Sequence, residues 1–159
     1  MAGGVVRIAP GRHTRRVELE GLRRVALAAL IMLVVQYGVG IILNLYIAVP
    51  ASDAHAGIMQ EIASGPAMLT LHALLGVGLI GAAVVLLVKA VRLEDRVIAG
   101  LAAAGLTAIG AAFASGEIFV HNGQPGASLA MALLTGVALL CYIGALTQVS
   151  TALRRRNTN

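Results

Sequence analysis

The sequence predicts an all-α polytopic membrane protein, with four transmembrane helices in an up-down-up-down bundle and both termini cytoplasmic. Three observations carry that expectation. Of 159 residues, 58% are apolar and only 12% charged, against about 25% charged in an ordinary soluble domain. The apolar residues form four long stretches separated by short polar ones. All twelve Lys and Arg fall in three patches: Arg7 to Arg24, then Lys89, Arg92 and Arg96, then Arg154, Arg155 and Arg156. The other two connections, 50–66 and 121–126, contain no basic residue. Basic loops stay in the cytoplasm while neutral ones cross, so this alternation sets the topology.

A hydrocarbon core roughly 30 Å thick needs about 20 apolar residues at 1.5 Å rise. After a basic cytoplasmic tail, 1–24, the transmembrane domain occupies 25–150, and a second basic tail, 151–159, follows. The spans read as Val25–Val49, Ala67–Val91, Val97–Val120 and Ala127–Val149. The first follows a basic start and precedes Ala54-His55-Ala56, the pattern of a cleaved signal peptide. Its apolar run of about 25 residues exceeds the roughly 7–15 of a signal core, so it reads as an anchor.

Pro50 ends the first span, because proline cannot continue the helical hydrogen-bond ladder. Ser52 or Asp53 then caps a short helix through about Ala63, with His55, Ile58, Met59 and Ile62 on one face, lying flat on the outer surface. Gly65 suits its stop and Pro66 the first position of the second span. The connections at Arg92–Arg96 and His121–Gly126 are of turn length, which makes successive spans antiparallel neighbours. The third span is built largely of small residues, including Gly100, Ala104, Gly105, Ala108, Gly110, Ala112 and Gly116. In lipid, such residues let helix backbones approach closely. A helix this thin is expected to be enclosed by neighbours on several sides.

These features exclude several functions. The pI near 10.4 reflects cations confined to membrane flanks, where they meet anionic headgroups at the cytoplasmic face. No basic face with interleaved aromatics exists, so no nucleic-acid partner is expected. Cys141 is the only cysteine, which excludes an internal disulfide, a CxxC pair and thiol-based oxidoreductase chemistry. No catalytic constellation is present. The expected location is the bacterial inner membrane.

Polar residues within the spans are few, and each costs free energy unless satisfied. Gln36, Gly40 and Asn44 recur at four-residue steps and share a helical face. Ser128, Thr135 and Tyr142 recur at seven-residue steps and form an inward polar seam. Glu117 and His121 share a face at the outer end of the third span. His72 lies about 9 Å, and Met131 about 6 Å, inside the outer boundary. Polar chemistry is thus concentrated toward the outer leaflet.

Three readings compete for this cluster. In the first, His72 is an axial ligand of heme b, with Met131 or His121 as the second, in electron transfer or heme handling. In the second, His55, His121, Asp53, Glu61 and Glu117 form an outer-face zinc or copper site. In the third there is no site, and the protein is a non-catalytic accessory subunit of a larger membrane complex, or a homo-oligomer, docking through its small-residue faces.

The segment Gln36-Tyr37-Gly38-Val39-Gly40, then Pro50, then Leu71-His72-Ala73-Leu74-Leu75-Gly76 resembles the first helix pair of one half of heme A synthase. The similarity covers residues 36–80. It implies a heme-ligand role for His72. Where that family places a partner histidine, on the fourth helix, this chain carries Ser128 and Met131. In size and span count the chain also resembles the small multidrug exporters, but its first span lacks their central carboxylate. The chain as a whole resembles small four-span bacterial membrane proteins of unknown function, which implies topology alone.

The topology is checked by reporter fusions. A cytoplasm-only reporter is expected to be active when inserted at Glu94 and inactive at Gly123; the reverse pattern would invert the bundle.

Overall fold

The computed structural model describes residues 12–46 and 67–157. It contains four helices: α1 (Arg12–Tyr46), α2 (Ala67–Arg92), α3 (Arg96–Asn122) and α4 (Pro125–Asn157). Each is long and apolar enough to cross a membrane. The expected helix stop at Pro50 and the interfacial segment carrying Asp53, His55 and Glu61 lie outside the described residues.

The helix ends follow from local chemistry. Lys89 and Arg92 fall in the last turn of α2, where cations meet the negative end of the helix dipole. Glu94 then adopts a left-handed backbone, φ 57°, and its amide donates to the Val91 carbonyl. Asp95 caps α3, its Oδ1 accepting from the Val97 and Ile98 amides at 3.1 Å each. At the far end of α3, Gly123 takes φ 61° and donates to the Phe119 carbonyl. Glycine enters this left-handed conformation without the Cβ clash of other residues. Pro125 then opens α4 at the position where a missing N–H costs nothing.

The helices form a ring in which α1–α2, α2–α3, α3–α4 and α4–α1 are neighbours and the diagonals make no backbone contact. Close approaches between α1 and α2 pair Gly21 with Lys89, Met32 with Gly78 and Gly40 with His72. One number falls as the other rises, so the two helices are antiparallel. The same holds for α3 and α4, where Leu101 meets Gly144, Gly105 meets Tyr142 and Gly116 meets Met131. This is the up-down-up-down bundle.

Two features differ from the sequence reading. First, α1 begins at Arg12 and α4 runs to Asn157, so both helices continue well past the apolar stretches. At 1.5 Å per residue they reach about 50 Å, against a hydrocarbon core of roughly 30 Å. The reason is continued packing: Leu19, Leu22 and Val149 belong to the core, and Leu153 packs against it. Beyond the lipid, such burial stabilises by about 1.5–3 kcal/mol per large side chain. Second, among the described residues the α3 backbone neighbours only α2 and α4, and none of those residues lies within 4 Å of Cβ positions built at Gly100 and Gly110. Its small residues serve one packed face rather than enclosure on several sides.

The core is lopsided along the bundle axis. Nearly every fully enclosed side chain lies in the half nearer Lys89 and Arg96, among them Leu22, Leu33, Leu86, Ile98, Ala138, Tyr142 and Val149. Tyr142 presses its ring against the α3 backbone at Gly105, where an added Cβ would overlap Cε1 and lie 2.8 Å from Cδ1. Gly105→Ala should therefore cost about 1–3 kcal/mol, the range for overpacking. A second change, Tyr142→Leu, should recover part of that loss. The check is thermal unfolding in detergent; equal stability of Gly105→Ala and wild type would contradict the contact.

Candidate functional site

The opposite half of the bundle, toward Tyr46 and His121, forms a half-open cavity of about 730 Å³ lined by all four helices. Leu33, Leu79 and Ile109 belong both to its wall and to the hydrophobic core. Small residues on all four helices, Gly40, Ala73, Gly76, Ala112, Gly116 and Ala132, leave the space open. Most of the wall is apolar. The polar groups are Gln36, Tyr37 and Asn44 from α1, His72 from α2, Glu117, His121 and Asn122 from α3, and Ser128 and Thr135 from α4.

The centre of the polar set is a bridge between α1 and α2. Gln36 Nε2 donates to the His72 carbonyl at 2.9 Å and lies 3.2 Å from His72 Nε2. An exchanged amide would set Gln36 Oε1 against the His72 carbonyl oxygen, an acceptor facing an acceptor. The amide therefore donates, and His72 Nε2 accepts. Glycines make this approach possible. A Cβ at Gly40 would stand 3.2 Å from His72 Cε1, and one at Gly76 would stand 3.3 Å from Gln36 Nε2. Both positions are tighter than ordinary van der Waals contact. Two atoms of the bridge, Gln36 Oε1 and His72 Nδ1, are buried with no hydrogen-bond partner among the described residues. A buried polar atom left unpaired costs about 1–3 kcal/mol.

A second bridge lies nearer the mouth, where Ser128 Oγ donates to Asn44 Oδ1 at 3.0 Å and ties α4 to α1. Thr135 Oγ1 returns its proton to the Met131 carbonyl at 2.8 Å, satisfying the hydroxyl within its own helix. The Met131 sulfur lies 3.1 Å from a Cβ built at Gly116, so glycine on α3 admits the thioether. Glu117 and His121 are exposed at the wall.

The structure thus brings His72, Met131, His121, Glu117, Gln36, Asn44, Ser128 and Thr135 around one cavity. Tyr142 is inward-facing but sits outside it, in the solid half against Gly105. Of the suggested zinc or copper donors, Asp53, His55 and Glu61 lie outside the described residues. Among the described residues no group of three His, Cys, Asp or Glu converges. Sequence reasoning did not single out Ala132 or Ala73 as cavity walls. Their signal was there, since each lies within one helical turn of a residue it had named.

The fold and its one-sided pocket define a small helical membrane bundle with a half-open cavity at one end. Comparison with known proteins finds no matching family model, no matching curated protein and no matching solved structure.

Proposed function

We propose that this bundle binds a flat, largely apolar cofactor in the cavity beside His72, with heme b as the specific candidate in electron transfer or heme handling. The observation that carries the reading is the cavity itself. At about 730 Å³ it falls within the roughly 300–1,000 Å³ of small-molecule sites, with apolar walls and a few convergent polar groups. His72 on α2 and Met131 on α4 both line it, and imidazole and thioether are established heme ligands. Partial resemblance to a heme A synthase half assigns the same role to His72.

Two features constrain how heme would be held. The His72 nitrogen that would donate to iron now faces the Gln36 amide at 3.2 Å. Coordination therefore requires His72 to exchange that donor for the metal. Among the described residues no Lys or Arg lines the cavity, so the propionates would rely on Asn44, Asn122 and Ser128. On this reading the bundle sits with its basic end in the cytoplasm and its cavity toward the outer leaflet.

An accessory-subunit role is the second reading. It is supported by the open surface of α3 at Gly100 and Gly110, which a helix of another membrane protein could approach closely.

The visible spectrum of protein purified from heme-replete membranes tests the first reading. A stoichiometric Soret band is expected, lost in His72→Ala. Gln36→Leu removes the competitor for His72 Nε2 and should retain or strengthen heme binding. Absence of the band in wild type, or its persistence in His72→Ala, would reject heme ligation by this residue. Co-purification of a larger complex at fixed stoichiometry, without a chromophore, would favour the accessory role.

A further inference from the structure

We infer that the groove between α1 and α4 at the basic end is a binding site for an anionic phospholipid. The groove is separate from the cavity and rests only on the four helices crossing a membrane. It has a volume of about 490 Å³ and is lined by Arg16, Glu20, Arg23, Arg24 and Leu27 of α1 and Leu153 of α4.

Its charges are arranged unequally. Arg16 Nε holds Glu20 Oε1 at 3.1 Å, so the one carboxylate among the described residues of the groove is already engaged. Arg23 and Arg24 are exposed and have no hydrogen-bond or ion-pair partner among the described residues. Three arginines less one glutamate leave two positive charges beside a recess. Guanidinium groups match the oxygens of a phosphodiester with paired, charge-assisted hydrogen bonds.

The helix also supplies a track for the acyl chain. Positions 16, 20, 23, 27, 31 and 34 advance by three or four residues and fall on one face of α1. Below Arg23 this face is exposed and apolar: Leu27, Ile31 and Val34. From Arg23 to Val34 the helix rises about 16 Å, the depth of one leaflet of a roughly 30 Å core. A phosphate at Arg23 and Arg24 thus places its own acyl chain along Leu27, Ile31 and Val34, while Leu153 closes the groove from α4. A free phosphate would use the arginines but leave the track bare. The phospholipid uses both.

Native mass spectrometry of the full chain, offered equal amounts of phosphatidylglycerol and phosphatidylcholine, tests this assignment. Wild type should retain phosphatidylglycerol with at least about a tenfold preference, the scale expected from two membrane-surface arginines. Arg23→Gln with Arg24→Gln should abolish that preference. Arg92→Gln with Arg96→Gln, the same loss of charge at the same end but away from the groove, should preserve it. Equal retention of the two lipids by wild type would overturn the site. So would equal losses in the two double variants, which would reduce the effect to general electrostatics. Displacement of the lipid by excess inorganic phosphate would reassign the groove to free phosphate.

Discussion

Helices in lipid gain nothing by turning apolar side chains from hydrocarbon tails toward one another, so contact must come from backbones close enough to interlock. Within the α1–α2 and α3–α4 pairs, six close approaches obey that constraint in one form: a glycine on one helix receives a large side chain from its neighbour. Tyr142 enters at Gly105, Leu101 at Gly144, Met131 at Gly116, Met32 at Gly78, Gln36 at Gly76 and His72 at Gly40. Several hydroxyls bond within their own helix, as Thr107 does to the Ala103 carbonyl and Ser115 to the Ala111 carbonyl. Gln36 Oε1, His72 Nδ1 and the Tyr142 hydroxyl are the exceptions, buried without a partner among the described residues.

The inserted side chains differ between the two halves. Toward Lys89 and Arg96, leucines and Tyr142 fill the interior with little exposure. Toward Tyr46 and His121 they are Gln36, His72 and Met131, which contact glycine on one side and line the cavity on the other. Packing and binding therefore use the same residues. Among the described residues only Leu43, Gly76 and Ala112 are buried in the outer reach of that half, so its stability depends on the Gln36–His72 and Asn44–Ser128 bridges rather than on a filled core. A ligand that satisfies Gln36 Oε1 and His72 Nδ1 would complete this half of the bundle.

Much of this was legible in the residues. Hydropathy marked the four spans, and the short connections at Arg92–Arg96 and His121–Gly126 marked the turns between successive ones. The four-residue spacing of Gln36, Gly40 and Asn44 and the seven-residue spacing of Ser128 and Thr135 marked faces that do line one cavity. What periodicity could not supply was which glycine opposes which side chain. That depends on the register between helices, and no local signal fixes it. The continuation of α1 and α4 beyond the spans was also hidden, because arginine-rich segments read as tails until Leu19, Leu22 and Leu153 are seen packing together. Tyr142 fell on the predicted polar seam yet buries its ring in the solid half, since a seven-residue step carries it past the cavity's end.

The claim on which the rest depends is that one half of this bundle is solid and the other hollow. Filling substitutions measure that difference directly. Ala132→Leu, at the cavity wall, should leave thermal stability in detergent unchanged or raised. Ala83→Leu, fully enclosed among core residues, should lower it by about 1–3 kcal/mol. Equal destabilisation by the two substitutions would show the cavity to be closed in the folded protein and would contradict the account.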